Sequence, residues 1–245
     1  MVATVLNWFA RLPYVALETI LYYLRRSPVL RALPAATAKA LAGRAHLRCY
    51  QTKKLVYAEG DPSDTIRLVA NGSVDKVLVG ENGREVVLRS FRAPDIFGLA
   101  DVENHRPRQA TCICAERTTI VELAARDCHI ILNLTQLQGP LLDRARKDVR
   151  HLEEMLRRLA ILSLEHRVAF YLKDQLGPAE RISGQRVEIK VTETQRRIAA
   201  KVNATRTRVN ITLQNWVKAG DITYCDNRVV INDPRQFWKR YFTDS

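Results

Sequence analysis

The 245-residue sequence predicts an α+β protein: an all-β roll or barrel, then a long amphipathic helix, then a small domain of packed helices with a β-hairpin. Three observations predict it. Between Leu47 and Leu123 short apolar runs alternate with turn signals at regular spacing. Between Leu142 and Leu159 the apolar residues step by three and four, as on one stripe of a helix. Between residues 191 and 220 two helical patterns flank a position suited to a tight turn.

Composition sets the bounds. Hydrophobic residues make up 47% and charged residues 27%, near the globular average, so the chain can bury a core and global disorder is excluded. The length suits one large domain or two small ones. Five cysteines, an odd number thinly spread, exclude a disulfide scaffold and suit a reducing cytoplasm, the expected location. Arg11, Pro13 and Glu18 interrupt the apolar stretch Met1–Leu24, so no span of about 20 apolar residues is available to a membrane. Met1–Ala10 lacks the basic start and cleavage site of a signal peptide. The charge is +13, which implies a polyanionic partner. Residues 181–245 hold 13 Lys and Arg against 6 Asp and Glu, so the C-terminal quarter is the expected contact.

The elements follow in order. Residues 1–27 read as one or two amphipathic helices broken at Pro13 and docked on the body of the protein or on a dimer partner. A membrane-surface helix would need a more basic polar face. Residues 28–46 predict a short helix with Pro34 in its first turn and good helix formers over Ala35–Ala42. In the roll, the turns Glu59-Gly60-Asp61-Pro62, Asn71-Gly72, Glu81-Asn82-Gly83, Ala93-Pro94-Asp95 and Arg106-Pro107 separate β-prone runs such as Leu68-Val69-Ala70 and Thr119-Ile120-Val121. Asn82-Gly83 is a hairpin signal, because both residues tolerate positive φ. Residues 124–165 are helical. Leu142, Ala145, Val149, Leu152, Leu156 and Leu159 form an a/d seam between charged neighbours, which suits the same helix of a second copy; packing on its own domain is the alternative. His166–Leu176 continue as helix until Gly177-Pro178, and residues 187–191 alternate as a strand.

The segment 191–220 carries the most chemistry. Thr194 caps a first helix whose inner face is Ile198, Ala199 and Val202. Asn203 tolerates the positive φ of a tight turn. Thr205 caps a second helix with Val209, Leu213 and Trp216 inward, and with Arg206, Thr207, Arg208, Asn210 and Thr212 on the outer arc. Gly220 ends it. Ile222–Cys225 and Arg228–Ile231 flank Asp226-Asn227 as a wing hairpin. Across 192–218 stand six basic residues and one acid, Glu193. A helix that exposes Arg and Asn in its first turns suits the major groove, where Arg pairs with guanine and Asn with adenine. The expected DNA-contacting set is Thr194, Thr205, Arg206, Thr207, Arg208, Asn210 and Lys218.

Over about residues 28–235 the chain resembles the CRP/FNR family of bacterial transcription regulators. Four features carry the resemblance: the Glu59–Pro62 turn, the pair Phe97-Gly98 and Arg108-Gln109-Ala110 at the two ends of a phosphate-binding cassette, the heptad helix, and the 191–220 segment with Arg206 at a DNA-contacting position. It implies a double-stranded β-helix of cyclic-nucleotide-binding type over 28–135 after the 1–27 extension, a dimerisation helix over 136–165 and a winged helix-turn-helix over 166–245. It implies a homodimer on palindromic double-stranded DNA, with RNA polymerase as a candidate partner, and an effector pocket at Phe97, Gly98, Leu99, Arg108 and Gln109. Cyclic-AMP-binding members carry Glu after the cassette glycine, to accept a ribose hydroxyl; here stands Leu99. They offer helix hydroxyls to the adenine; Leu141–Leu162 contain no Ser or Thr. Cyclic AMP is therefore not expected in the usual mode, and the expected effector is a different small molecule or none. Arg108 either holds a phosphate or forms an internal ion pair with Asp101 or Glu103. Cys49 is the only cysteine before Cys112, which excludes an N-terminal iron–sulfur cluster; Cys112 and Cys114 read as small buried hydrophobes. His46, His105 and His129 read as structural, and no metal site is expected. Many members follow the recognition Arg with Glu; here Thr207 does, so different half-sites are expected. The rival reading is a cyclic-nucleotide-dependent allosteric module acting on a protein partner. With no Gly-rich phosphate loop, metal-spaced set or nucleophile motif, an enzyme is not expected.

Overall fold

The computed structural model describes residues 13–81, 83–103, 106–176, 186–191, 193–225 and 228–242. The expected helical segment before Pro13, Asn82 of the hairpin turn, His105, Gly177-Pro178 and the wing turn Asp226-Asn227 lie outside these residues, as do the side chains of Glu103 and His129. The chain folds as two units. One holds Met1–Val79 and Leu88–His151; the other holds Gly80–Val87 and Leu152–Ser245.

Alternation along strands builds the first unit. In β3 (Thr65–Asn71) side chains point to opposite faces in turn, yet all five of Ile66–Ala70 are buried, so both faces are covered. Ile66, Leu68 and Ala70 face helices; Val69 faces the roll interior. The other strands are β1 (His46–Tyr50), β2 (Leu55–Tyr57), β4 (Ser73–Val79), β5 (Glu85–Arg92), β6 (Ile96–Phe97), β7 (Thr111–Cys114) and β8 (Thr118–Ala124). They form two sheets, ordered β1-β8-β3-β6 and β2-β7-β4-β5. Tyr57, Val69, Val74, Phe91, Phe97, Cys112, Cys114 and Ile120 close the space between them. Cys112 and Cys114 share that inward face, and burial pushes the Cys112 thiol up to about 11.

Helix α1 spans Pro13–Arg26, with Pro13 in its first described turn, where proline's fixed φ and missing N–H are tolerated. Its Ile20, Leu21 and Leu24 pack with the roll's Ile66, Leu68, Val121 and Leu123, so this part of the extension is docked on the body. A 3₁₀ turn (Leu30–Ala32) and α2 (Ala35–Arg44) complete that layer. Arg67 and Glu122 sit opposite in register on β3 and β8 and pair at 3.2 Å; Arg48 at 2.7 Å and the Tyr50 hydroxyl at 2.9 Å also donate to Glu122. This buried ionic cluster is absent from the sequence reading. So is the five-residue helix α3 (Leu99–Glu103).

Residues 124–165, expected as helical, form α4 (Ala125–Asn133) and α5 (Thr135–Ile161), and then α6 (Leu164–Asp174) begins. The break has a local cause: the Ser163 hydroxyl accepts from the His166 N–H and caps α6.

In the second unit, α6, α7 (Gln195–Lys201), α8 (Arg206–Lys218) and the sheet β10-β11-β9 enclose one core. Strands β10 (Ile222–Cys225) and β11 (Arg228–Ile231) are the two arms of the expected wing, and β9 (Val187–Lys190) pairs with β11. A last helix, α9 (Pro234–Tyr241), was not expected, although Asp233-Pro234 is a cap followed by proline at the first position. It lays Phe237 and Tyr241 against Trp216, whose indole N–H donates to the Tyr241 hydroxyl at 2.7 Å.

Candidate nucleic-acid interface and sensor site

Helices α7 and α8 meet because the residues between them permit it. Asn203 takes φ +48°, and the Ala204 N–H reaches the Ala199 carbonyl at 2.8 Å. Ala199, Ile198 and Val202 are buried under α8, where a larger side chain at Ala199 would hold the helices apart. Both caps form: the Thr194 hydroxyl accepts from Arg197 N–H, and the Thr205 hydroxyl from Arg208 N–H at 3.3 Å. Val209, Leu213 and Trp216 point inward. Arg206, Thr207, Arg208, Asn210 and Lys218 are exposed, as are Thr194 and Thr205. Thr212, expected on the outer arc, is buried instead, because it shares the inward stripe with Val209, Leu213 and Trp216.

The charges sort by partner. Glu193 accepts from the Lys201 ammonium and the Tyr171 hydroxyl and forms an ion pair with Arg197. Burial first, and the Glu193 charge second, hold the Tyr171 proton on far above the usual phenol range. Arg196 pairs with Glu85 at 3.3 Å. Arg84 donates to the Asn203 carbonyl at 2.8 Å and to its side-chain oxygen at 2.6 Å. Burial, then repulsion from Arg208 and Arg84, lower the Arg167 pKa. The turn before α8 is thus ringed by guanidinium groups, while the one acid of the segment is consumed on the inner side.

On α5 the seam residues Leu142, Ala145, Val149, Leu152 and Leu156 are exposed, and Leu159 is half-buried. Leu156 is 66% exposed and Val149 55%, an apolar stripe left open by the single chain.

At the sensor, Phe97, Gly98 and Arg108 come together. Arg108 is 1% exposed. Its Nη1 donates to the Gly98 carbonyl at 3.0 Å and faces Asp101 at 3.5 Å; its Nη2 donates to the Thr65 carbonyl; its guanidinium lies over the Tyr57 ring at 4.5 Å. Gly98 has φ +79°, and a Cβ there would stand 2.7 Å from Arg108 Nη1. Of the two readings of Arg108, the ion pair with Asp101 forms. Leu99 packs on the helix-side core, and Gln109 is exposed with its amide on the Pro107 carbonyl at 2.8 Å, so neither joins Arg108. Farther along, the Phe91 ring stacks on Phe97 at 5.1 Å and lies beneath both Arg89 and Arg144. Arg89 pairs with Asp148, Arg144 with Asp95 at 3.4 Å, and His151 meets the Leu88 carbonyl at 3.1 Å.

These residues do not fit a cyclic nucleotide. An unpaired buried ribose hydroxyl costs about 1–3 kcal/mol, and Leu99 offers no acceptor. A phosphate held by Arg108 would also stand beside the Asp101 carboxylate, whose charge opposes it. Among the described residues no group of three or more His, Cys, Asp or Glu is arranged for a metal, and no helix is long and apolar enough to cross a membrane.

Residues 47–133 match the family model of the cyclic nucleotide-binding domain. The chain is 29% identical over 194 residues to a CRP-like cAMP-activated global transcriptional regulator of Mycobacterium tuberculosis, covering 76% of this chain and 83% of that one. Its fold is similar to that of the c-di-GMP-responsive global regulator CLP of Xanthomonas campestris, with TM-score 0.69, 20% identity, and 81% and 99% of the two chains covered. It is also similar to that of FixK2 of Bradyrhizobium japonicum, with TM-score 0.66, 17% identity, and 82% and 99% covered.

Proposed function

We propose that this chain, which matches the cyclic nucleotide-binding domain model over residues 47–133 and is similar to CRP-like transcriptional regulators, is a homodimer that reads an imperfect palindrome in double-stranded DNA. One observation carries this reading: the first turns of α8 expose Arg206, Thr207, Arg208 and Asn210 while its caps, turn and inner face are complete. Residues 28–135 serve as the sensor, 136–165 join two copies through the α5 stripe, and 166–245 bind DNA. Arg206 and Asn210 read base edges; Thr194, Lys218 and the caps position the backbone. Two half-sites about 34 Å apart follow from two-fold symmetry. RNA polymerase is the downstream partner of a bound dimer, and the working location is the cytoplasm.

Selection of bound sequences from random duplex DNA tests the proposal. The expected outcome is a two-fold related motif bound with a steep salt dependence. Recovery of no motif, with affinity independent of salt, refutes it and favours the protein-directed module.

A further inference from the structure

We propose that Asp101 sets the ligand selectivity of the sensor: its carboxylate stands at Arg108 where an anionic ligand group would sit, so that the roll excludes phosphodiesters such as cyclic nucleotides. The inference deepens the sensor reading above and does not depend on DNA recognition.

The argument is one of occupied donors. A phosphate needs guanidinium N–H groups turned toward it. In Arg108, the two N–H groups of Nη1 are turned to the Gly98 carbonyl and Asp101, and those of Nη2 to the Thr65 carbonyl and, at 3.5 Å, the Thr65 hydroxyl. Of the three guanidinium nitrogens of Arg108, Nε has no hydrogen-bond partner. That leaves a single donor, beside a carboxylate, in a side chain with no exposed surface. Backbone holds Asp101 in place: its carbonyl accepts from the Ser63 hydroxyl at 3.2 Å and from the Arg106 N–H at 3.0 Å, and it is the central residue of the short helix α3. The groups around Phe91, which stacks on Phe97, are no freer. Arg89, Arg144, Asp95 and Asp148 pair with one another across Phe91, so β5 and α5 meet through ionic contacts and not through hydroxyls that would read a purine. The protein's own groups thus engage Arg108 on one side of Phe97 and Arg89 and Arg144 around Phe91 on the other.

The same chemistry predicts a gain. Removing the carboxylate exposes a buried cation that has lost its counter-charge, and a buried cation recruits an anion. Asp101→Ser makes room for one; Asp101→Asn removes the charge while keeping the shape. On the full chain, thermal melting is followed with inorganic phosphate, cyclic AMP, cyclic GMP and chloride as the control, and cyclic nucleotide titrations are followed by calorimetry. The expected result is no heat and no melting shift with any phosphate for the wild type. Each Asp101 variant melts lower than the wild type in chloride, and phosphate raises it in a concentration-dependent way. The double variant with Arg108→Ala does not respond. Binding of a cyclic nucleotide to the wild type at micromolar concentration, lost in Arg108→Ala, overturns the proposal. So do folded Asp101→Ser and Asp101→Asn proteins that melt identically in phosphate and chloride. Failure of the DNA selection leaves both readouts unchanged, and so the two proposals fall separately.

Discussion

Replacing Leu156 by alanine isolates the apolar seam of α5. Leu156 is 66% exposed on the single chain, and a two-fold pairing covers it twice. Burying a leucine completely is worth roughly 1.5–3 kcal/mol. Two-thirds of that, taken twice and reduced for the carbon that alanine keeps, leaves about 1.5–3 kcal/mol of dimer stability, or about a 10- to 150-fold weaker association. Alanine is the best helix former, so α5 itself is not weakened. Sedimentation equilibrium over a concentration series measures the association constant, and circular dichroism checks the helix content. Arg150→Ala, off the stripe, serves as the control. A Leu156→Ala protein with intact helix and an association constant within twofold of the wild type refutes the seam and leaves α5 packed in some other way.

Three further outcomes follow from the same structure. Arg206→Ala weakens specific DNA binding by about 1–3 kcal/mol and relaxes one base position, read by gel shift across single-base variants of the selected site; unchanged sequence preference refutes base reading. Thr205→Ala removes the cap of α8 and lowers stability by about 1 kcal/mol, measured by urea unfolding. Burial, then the neighbouring Glu122 charge, raise the Tyr50 pKa from 10.0 to about 12, so the folded protein keeps a proton that the unfolded chain releases. The resulting stabilisation is complete below pH 10 and lost as pH rises through about 12; stability curves of Tyr50→Phe over that window are flatter than those of the wild type, and parallel curves refute the assignment.

The second unit was the more legible half, because its signals are local. Caps, inner-face spacing and turn residues act within a few positions, so Thr194, Asn203, Thr205 and Gly220 could be placed from the residues alone, and the arms of the wing match β10 and β11. Thr212 was misassigned although it was legible: it lies three residues after Val209 and four before Trp216, on the same stripe that the sequence already showed as inward. In the roll the turns were visible but the partners were not. The Arg67–Glu122 pair joins residues 55 positions apart, and strand register, not local spacing, brings them together. Arg108 illustrates the same limit at the sensor. The sequence left phosphate binding and an internal ion pair both open, and the choice depended on where the α3 turn carried Asp101. α9 was missed although Asp233-Pro234 signals a start, because its eight residues show a short pattern that only the aromatic packing stabilises.

The hydrogen bond between Trp216 and Tyr241 also makes the second unit spectroscopically addressable. Of the three tryptophans, Trp216 and Trp238 stand in this unit and Trp8 lies outside the described residues. In a Trp8→Phe background, intrinsic emission therefore reports the second unit alone. Loosening of α9 alters the environment of an indole whose N–H is otherwise satisfied, and the wavelength of the emission maximum then tracks that event without any attached dye.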